Sequence, residues 1–181
     1  GYMAASPPVI LFDLDGTLVD SIELIVESMF HAFAGRARVP TRAEWVAGIG
    51  TPIRLQVAPF VKDDVDAAQV LESYNVYFRA HYAEMKPYAG AAECLQALKA
   101  RGHLLGAVTS KLTDGAQRTL RQVGLAELMD VVVGCDACAR PKPAPDPVLF
   151  ALRELRRDPN NAYFVGDSPH DMASGRAAGV K

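Results

Sequence analysis

Seven polar side chains stand directly after short apolar runs, and their types suit one kind of chemistry. Asp13 and Asp15 follow Val9-Ile10-Leu11-Phe12, Thr109 and Ser110 follow Leu104-Leu105-Gly106-Ala107-Val108, and Asp167 and Asp171 follow the apolar stretch ending at Val165. Lys142 sits in a proline-rich loop after Val131-Val132-Val133. A carboxylate attacks phosphorus when a cation screens the repulsion between two anions. Asp13, at the end of a buried run, is placed as that nucleophile. Asp15 is two residues on, so strand periodicity aims it at the same region, where it can protonate a leaving oxygen and then activate water. Gly16 permits a tight turn beside it. Hydroxyl and backbone N–H groups at Thr109 and Ser110 suit a phosphate, and Lys142 adds a positive charge for its oxygens and for the nucleophile. Hard carboxylate oxygens, with Asp167 as a further donor, suit Mg²⁺.

The elements that must position these groups alternate. The four-residue run 9–12 reads as a buried parallel strand. From residue 84 on, helices over 91–101, 113–123, 146–156 and 170–178 alternate with strands over 104–108, 130–133 and 162–166. This is an α/β pattern, a Rossmann-like parallel sheet covered by helices, whose sites form at the carboxyl ends of the strands. Residues 19–83 interrupt it and read as all helix. Asp20 with Glu23 predicts a capping box for a helix over 21–34, Thr41 with Glu44 a second box for a short helix ending near Gly48, and an apolar stripe a long helix over 66–84. The predicted division is therefore a catalytic core of 1–18 and 84–181 with a helical insertion of 19–83. Gly179-Val180-Lys181 reads as the start of a further strand, so either the chain is cut short or the sheet lacks an edge element.

Composition narrows the classes. The 181 residues are 50% hydrophobic and 22% charged, ordinary for a globular protein with a real core. A net charge of -2 leaves no basic excess for nucleic acid. No apolar run approaches the roughly 20 residues a membrane span needs, and no secretory leader is visible, so a cytoplasmic protein is expected. Gly1-Tyr2 ahead of Met3 reads as a cloning remnant. Cys94, Cys135 and Cys138 are an odd set; the C-x-x-C spacing lacks further metal ligands and reads as two incidental thiols.

Together the motifs resemble those of the haloacid dehalogenase superfamily. Asp13-Leu-Asp15-Gly16-Thr17-Leu18-Val19-Asp20-Ser21 is similar to its first motif, and Val108-Thr109-Ser110-Lys111 to its second. Arg140-Pro141-Lys142-Pro143 is similar to the third, and Val165-Gly166-Asp167-Ser168-Pro169-His170-Asp171 to the fourth. The resemblance implies an aspartyl-phosphate on Asp13, with Asp15 as acid/base. It implies Mg²⁺ held by Asp13, the Asp15 carbonyl oxygen and Asp167, with Asp171 behind them through water. Thr109, the Ser110 amide and Lys142 would bind phosphate, and the Lys142–Pro143 peptide is expected to be cis. The insertion then resembles the family's small helical cap.

The branch that the sequence resembles is that of phosphoglycolate phosphatases, which would act on a small phosphorylated metabolite. Inorganic pyrophosphatases, a β-phosphoglucomutase-like phosphomutase and a truncated, inactive binding protein are the alternatives. Gly48-Ile-Gly50-Thr-Pro52 and Arg54 are candidate specificity elements in the cap. Asp20 and Ser21 read as helix caps, Lys111 as a solvated surface charge and His170 as a loop histidine. No feature identifies an interface, so monomer and homodimer both stay open.

Overall fold

The computed structural model describes residues 6–181, so the reading of Gly1-Tyr2 lies outside the described residues. Four parallel strands form the central sheet: β1 (Val9–Phe12), β4 (Leu105–Val108), β5 (Val131–Val133) and β6 (Ala162–Val165), in the order β5-β4-β1-β6. Each strand is three or four residues long, and β4 is buried throughout. The register aligns Phe12 with Ala107 on one side and with Val165 on the other, so the residues after these strands emerge at one edge.

Strand alternation splits the apolar side chains between two layers. Val9 and Leu11 pack with Val108, Val133 and Phe164 against Val148, Ala151 and Leu152 of α7 (Asp146–Leu155) and Ala178 of α8 (Pro169–Ala178). Phe12, Leu105 and Ala107 face the other way, towards Leu95 of α5 (Ala91–Ala100) and Ala116 and Leu120 of α6 (Thr113–Gln122). The result is a sheet between two helical layers, as the sequence predicted.

The intervening segment differs from an all-helical reading in one respect. It is entered and left through a two-stranded antiparallel ladder, β2 (Val19–Asp20) against β3 (Lys86–Pro87). Two residues per strand leave too little period for a sequence pattern to show. Between them lie α1 (Ile22–Phe33), α2 (Arg42–Ala47), α3 (Ile53–Val57) and α4 (Asp64–Ala80). The predicted box at Thr41 and Glu44 is present on α2. The one at Asp20 and Glu23 is not: Ser21 is the N-cap of α1 and Glu23 pairs with Arg42. Helix α4 starts two residues earlier than predicted because Asp63 caps it, accepting from the Asp66 N–H at 2.8 Å. Asp66 in turn pairs with Arg36, a hydrogen bond that holds its carboxyl below the usual range.

Met29 and Phe33 of α1, Trp45 of α2, Val57 of α3 and Val70, Tyr74 and Phe78 of α4 form the apolar centre of this segment. It is continuous with the α5/α6 layer of the sheet through Phe12, Leu14, Leu18 and Val19. Phe33 meets the Trp45 ring edge-on at 5.9 Å, an arrangement the ring quadrupoles favour. At the far edge of the sheet, the Phe164 N–H donates to the Lys181 carbonyl at 2.8 Å and the Lys181 N–H to the Ala162 carbonyl at 3.2 Å. Lys181 thus pairs beside β6 in the manner of a strand residue. Among the described residues no helix is long and apolar enough to cross a membrane.

Trp45 is wholly buried, and its indole N–H has no partner among the described residues. Trp45→Ala should lower stability by about 3–5 kcal/mol. Trp45→Phe should cost far less, because it keeps a ring and removes an unsatisfied donor. Urea unfolding midpoints of the two variants check this order.

Candidate active site

Asp13 leaves the sheet one residue past β1, its N–H donating to the Val165 carbonyl at 3.0 Å. The chain then turns sharply: the N–H groups of Thr17, Leu18 and Val19 all donate to the Leu14 carbonyl, within 3.1 Å. Gly16 makes this turn possible with φ +80°, and a Cβ there would stand 2.2 Å from Asp167 Oδ2. A side chain at this point would therefore fill the space in which the two motif loops meet.

The Asp13 side chain is buried, with Oδ1 accepting from the Leu14 N–H at 2.7 Å and Oδ2 3.2 Å from Lys142 Nζ. Lys142 is itself 1% exposed. Its ammonium also meets Asp171 Oδ1 at 2.6 Å and the Val108 carbonyl at 3.3 Å, above the ring of Phe164. The loop bearing it is pinned to α8 by the Ser174 hydroxyl, which donates to the Ala144 carbonyl at 2.7 Å, and the Lys142–Pro143 peptide is cis. Asp171 completes a capping box with Ser168 at the start of α8.

Asp13, Asp167 and Asp171 bring one carboxylate oxygen each to within 4.8 Å of one another. Asp171, expected behind Asp13 and Asp167, brings an oxygen to the same place and pairs directly with Lys142. Asp167 is exposed and accepts weakly from the Thr17 hydroxyl at 3.4 Å. Its carboxyl is pushed up, first by desolvation and then by the Asp171 charge, against the loop backbone and Thr17. These donors fit a hard divalent cation: three anionic oxygens converge on one place with a single buried ammonium among them.

Asp15 is not one of that trio. Its Oδ1 accepts from the Ser21 hydroxyl at 2.6 Å, and its Oδ2 lies 3.3 Å from Lys111 Nζ. Ser21 is the N-cap of α1 by position, but its hydroxyl goes to Asp15 and not to a backbone N–H, and Lys111, expected to be a solvated surface charge, pairs with Asp15. The signal for Lys111 was its place directly after the Thr109-Ser110 strand end. Ser21 carried none, since Ser is an ordinary N-cap.

Thr109 is buried after β4, its hydroxyl accepting from the Lys111 N–H at 3.2 Å. The N–H groups of Asp15 and Ser110 have no acceptor among the described residues, which suits them to an anion. The Ser110 hydroxyl donates to the Gly50 carbonyl at 2.6 Å. The Gly48–Pro52 loop of the helical segment therefore rests on the sheet's carboxyl edge. Gly50 has φ +104°, and a Cβ on it would lie 3.0 Å from Ser168 Oγ and 3.5 Å from His170 Cδ2. Arg54 lies exposed on α3 and has no hydrogen bond to the site residues among those described. Burial raises both the Cys135 and Cys138 thiols, the opposite of an activated pair. Two surface clefts, of about 480 and 410 Å³, hold none of the site residues.

Burial pushes the Asp13 carboxyl up to about 8; Lys142 opposes this, while Asp171 and Asp15 add to it. The folded protein then holds this proton more tightly than the unfolded chain does, so the contribution is complete below the ordinary carboxylate value and is lost as pH rises through about 8. With EDTA present, stability should fall over that window, and Asp13→Asn should flatten the fall. Urea titrations across the range measure it.

The family is visible in the whole chain. Residues 10–181 match the model of haloacid dehalogenase-like hydrolases. Pyrophosphatase PpaX of Bacillus velezensis is 36% identical over 174 residues, covering 95% of this chain and 80% of that protein. Phosphoglycolate phosphatase of Aquifex aeolicus is 35% identical over 181 residues, covering 96% and 82%. CbbY from Rhodobacter sphaeroides in complex with phosphate superposes with a TM-score of 0.84 at 25% identity, over 97% of this chain and 84% of that one. With residues 10–181 matching that model and relatives at 35–36% identity covered over 80% or more of their length, the chain belongs to the haloacid dehalogenase-like hydrolase family.

Proposed function

We propose that this hydrolase is a phosphatase of small phosphate monoesters, phosphoglycolate phosphatase-like, working through an aspartyl-phosphate on Asp13. The observation that carries this is the setting of Asp13: buried and rigid, one oxygen fixed by the Leu14 N–H and the other beside the Lys142 ammonium.

The two steps follow from the residues present. Asp13 attacks phosphorus in line while Asp15 gives a proton to the leaving oxygen. Water that has lost a proton to Asp15 then attacks the acyl phosphate, and Asp13 is restored. Lys142, the Ser110 and Asp15 N–H groups and Thr109 hold the phosphoryl oxygens. Asp13, the Asp15 carbonyl and Asp167 would hold Mg²⁺, with Asp171 orienting Lys142 and the carboxylates. When bound, Mg²⁺ supplies the positive charge that lets a carboxylate approach a phosphate dianion.

The segment 19–83 acts in this reading as a cap on a core of 1–18 and 84–181. Substrate reaches Asp13 when the Ser110–Gly50 hydrogen bond opens, and the returning loop excludes water. A pyrophosphatase reading is favoured by the name of several relatives, among them PpaX of Bacillus velezensis and of Halalkalibacterium halodurans.

Phosphate release from phosphoglycolate, pyrophosphate and sugar phosphates, with and without Mg²⁺, separates these. Magnesium-dependent release with phosphoglycolate preferred is expected; preference for pyrophosphate would select the second reading. Conversion of a sugar 1-phosphate to the 6-phosphate without free phosphate would make the enzyme a mutase. Asp13→Asn should abolish turnover, by at least about 10³-fold, and leave the unfolding transition cooperative. Asp167→Asn should raise the Mg²⁺ concentration at half-maximal rate.

A further inference from the structure

Lys111 is held at three points. Its N–H donates to Thr109 Oγ1 at 3.2 Å, and its carbonyl accepts from the Cys135 N–H at 2.8 Å. Its side chain, 20% exposed, reaches Asp15 Oδ2 at 3.3 Å with the ammonium 4.9 Å from the centre of the Phe78 ring. Phe78 belongs to α4 and is fixed there, stacked on Tyr74 at 5.9 Å and edge-on to Tyr82 at 5.3 Å. An exposed lysine–carboxylate pair contributes little. This one is largely covered, and an aromatic face adds attraction for the same ammonium. With Ser21 on Oδ1, both oxygens of Asp15 are engaged, so its carboxylate has one orientation.

We infer that Lys111 is a positioning residue for Asp15, setting the carboxylate for the water-activating step, and that Phe78 makes this hold depend on the helical segment. The inference rests on the phosphatase reading. In that step a water proton passes to an Asp15 oxygen while the water oxygen bonds to phosphorus. The Asp13 Oδ–P bond breaks, its electron pair returns to the Asp13 carboxylate, and phosphate leaves. Asp15 keeps the proton for the next leaving group. In this role Lys111 acts by fixing the acceptor, not by holding water or phosphate itself.

p-Nitrophenyl phosphate isolates this step, because its leaving group departs without a proton and the first step then does not draw on Asp15. With Mg²⁺ present, Lys111→Met should show a burst of one p-nitrophenolate per active site. A steady state should follow with kcat lowered about tenfold or more. KM should fall in the same proportion, leaving kcat/KM unchanged. Lys111→Arg should recover much of kcat, and Phe78→Leu should give the same pattern at smaller amplitude. A fall in kcat/KM without a burst, or a Lys111→Met enzyme equal to wild type, would overturn the role. An unchanged Phe78→Leu enzyme would overturn the link to the helical segment. Failure of the wild type itself to release p-nitrophenolate would overturn the phosphatase reading instead.

Discussion

The Lys142 ammonium is the charge on which the site depends. It is almost wholly buried, and a buried charge persists only when paired and hydrogen-bonded. Asp13 and Asp171 supply the pairing and the Val108 carbonyl a further acceptor. One ammonium stands among two buried carboxylates with Asp167 close by, and the Asp13 carboxyl is raised first by burial and then by Asp171 and Asp15, against Lys142. In the proposed reaction a divalent cation would offset these carboxylates, so that an ionised Asp13 would face a phosphate dianion with the repulsion screened.

The fold is arranged to hold that cluster still. Asp13, Thr109 and Asp167 follow three adjacent parallel strands whose register brings their ends level. Lys142 arrives from a loop after the fourth strand, tied to α8 through Ser174 and Ala144. The capping box of α8 fixes Asp171 opposite. Side chains on strand ends and a helix's first turn lose little freedom when they act, which is the basis of preorganised electrostatic stabilisation. The helical segment meets this rigid edge through Gly50 on Ser110, Phe78 on Lys111 and Ser21 on Asp15. Its apolar centre runs on into the sheet layer beneath. If the segment moves as the proposed cap, these contacts would couple that motion to the Thr109–Lys111 turn and to Asp15.

Much of this was legible in the sequence, because the governing signals are local. Short apolar runs ending in Asp, Thr-Ser or Gly-Asp mark the strand ends, and helical periodicity marks the layers. Asp13, Thr109 and Lys142 stand where those signals put them. What the sequence concealed depends on contacts distant along the chain. The Val19–Asp20 ladder with Lys86–Pro87 pairs two residues with two others far along the chain, too few for any period to appear. Ser21 sits at an N-cap, where its hydroxyl has an ordinary local use, yet it serves Asp15. Lys111 has the composition of a surface residue and becomes part of the site only because α4 folds over it. Asp171 has a local capping use and, besides it, a pairing with Lys142 across the sheet edge.

The central claim is that phosphate passes through the Asp13 carboxylate. Acid-quenching the enzyme during turnover with its best phosphate substrate and Mg²⁺, then reducing with borohydride, converts an acyl phosphate to an alcohol that peptide mapping locates. The account predicts homoserine in place of aspartate at position 13 and at no other carboxylate. Full turnover with position 13 unreduced, or with reduction at another aspartate, would contradict it.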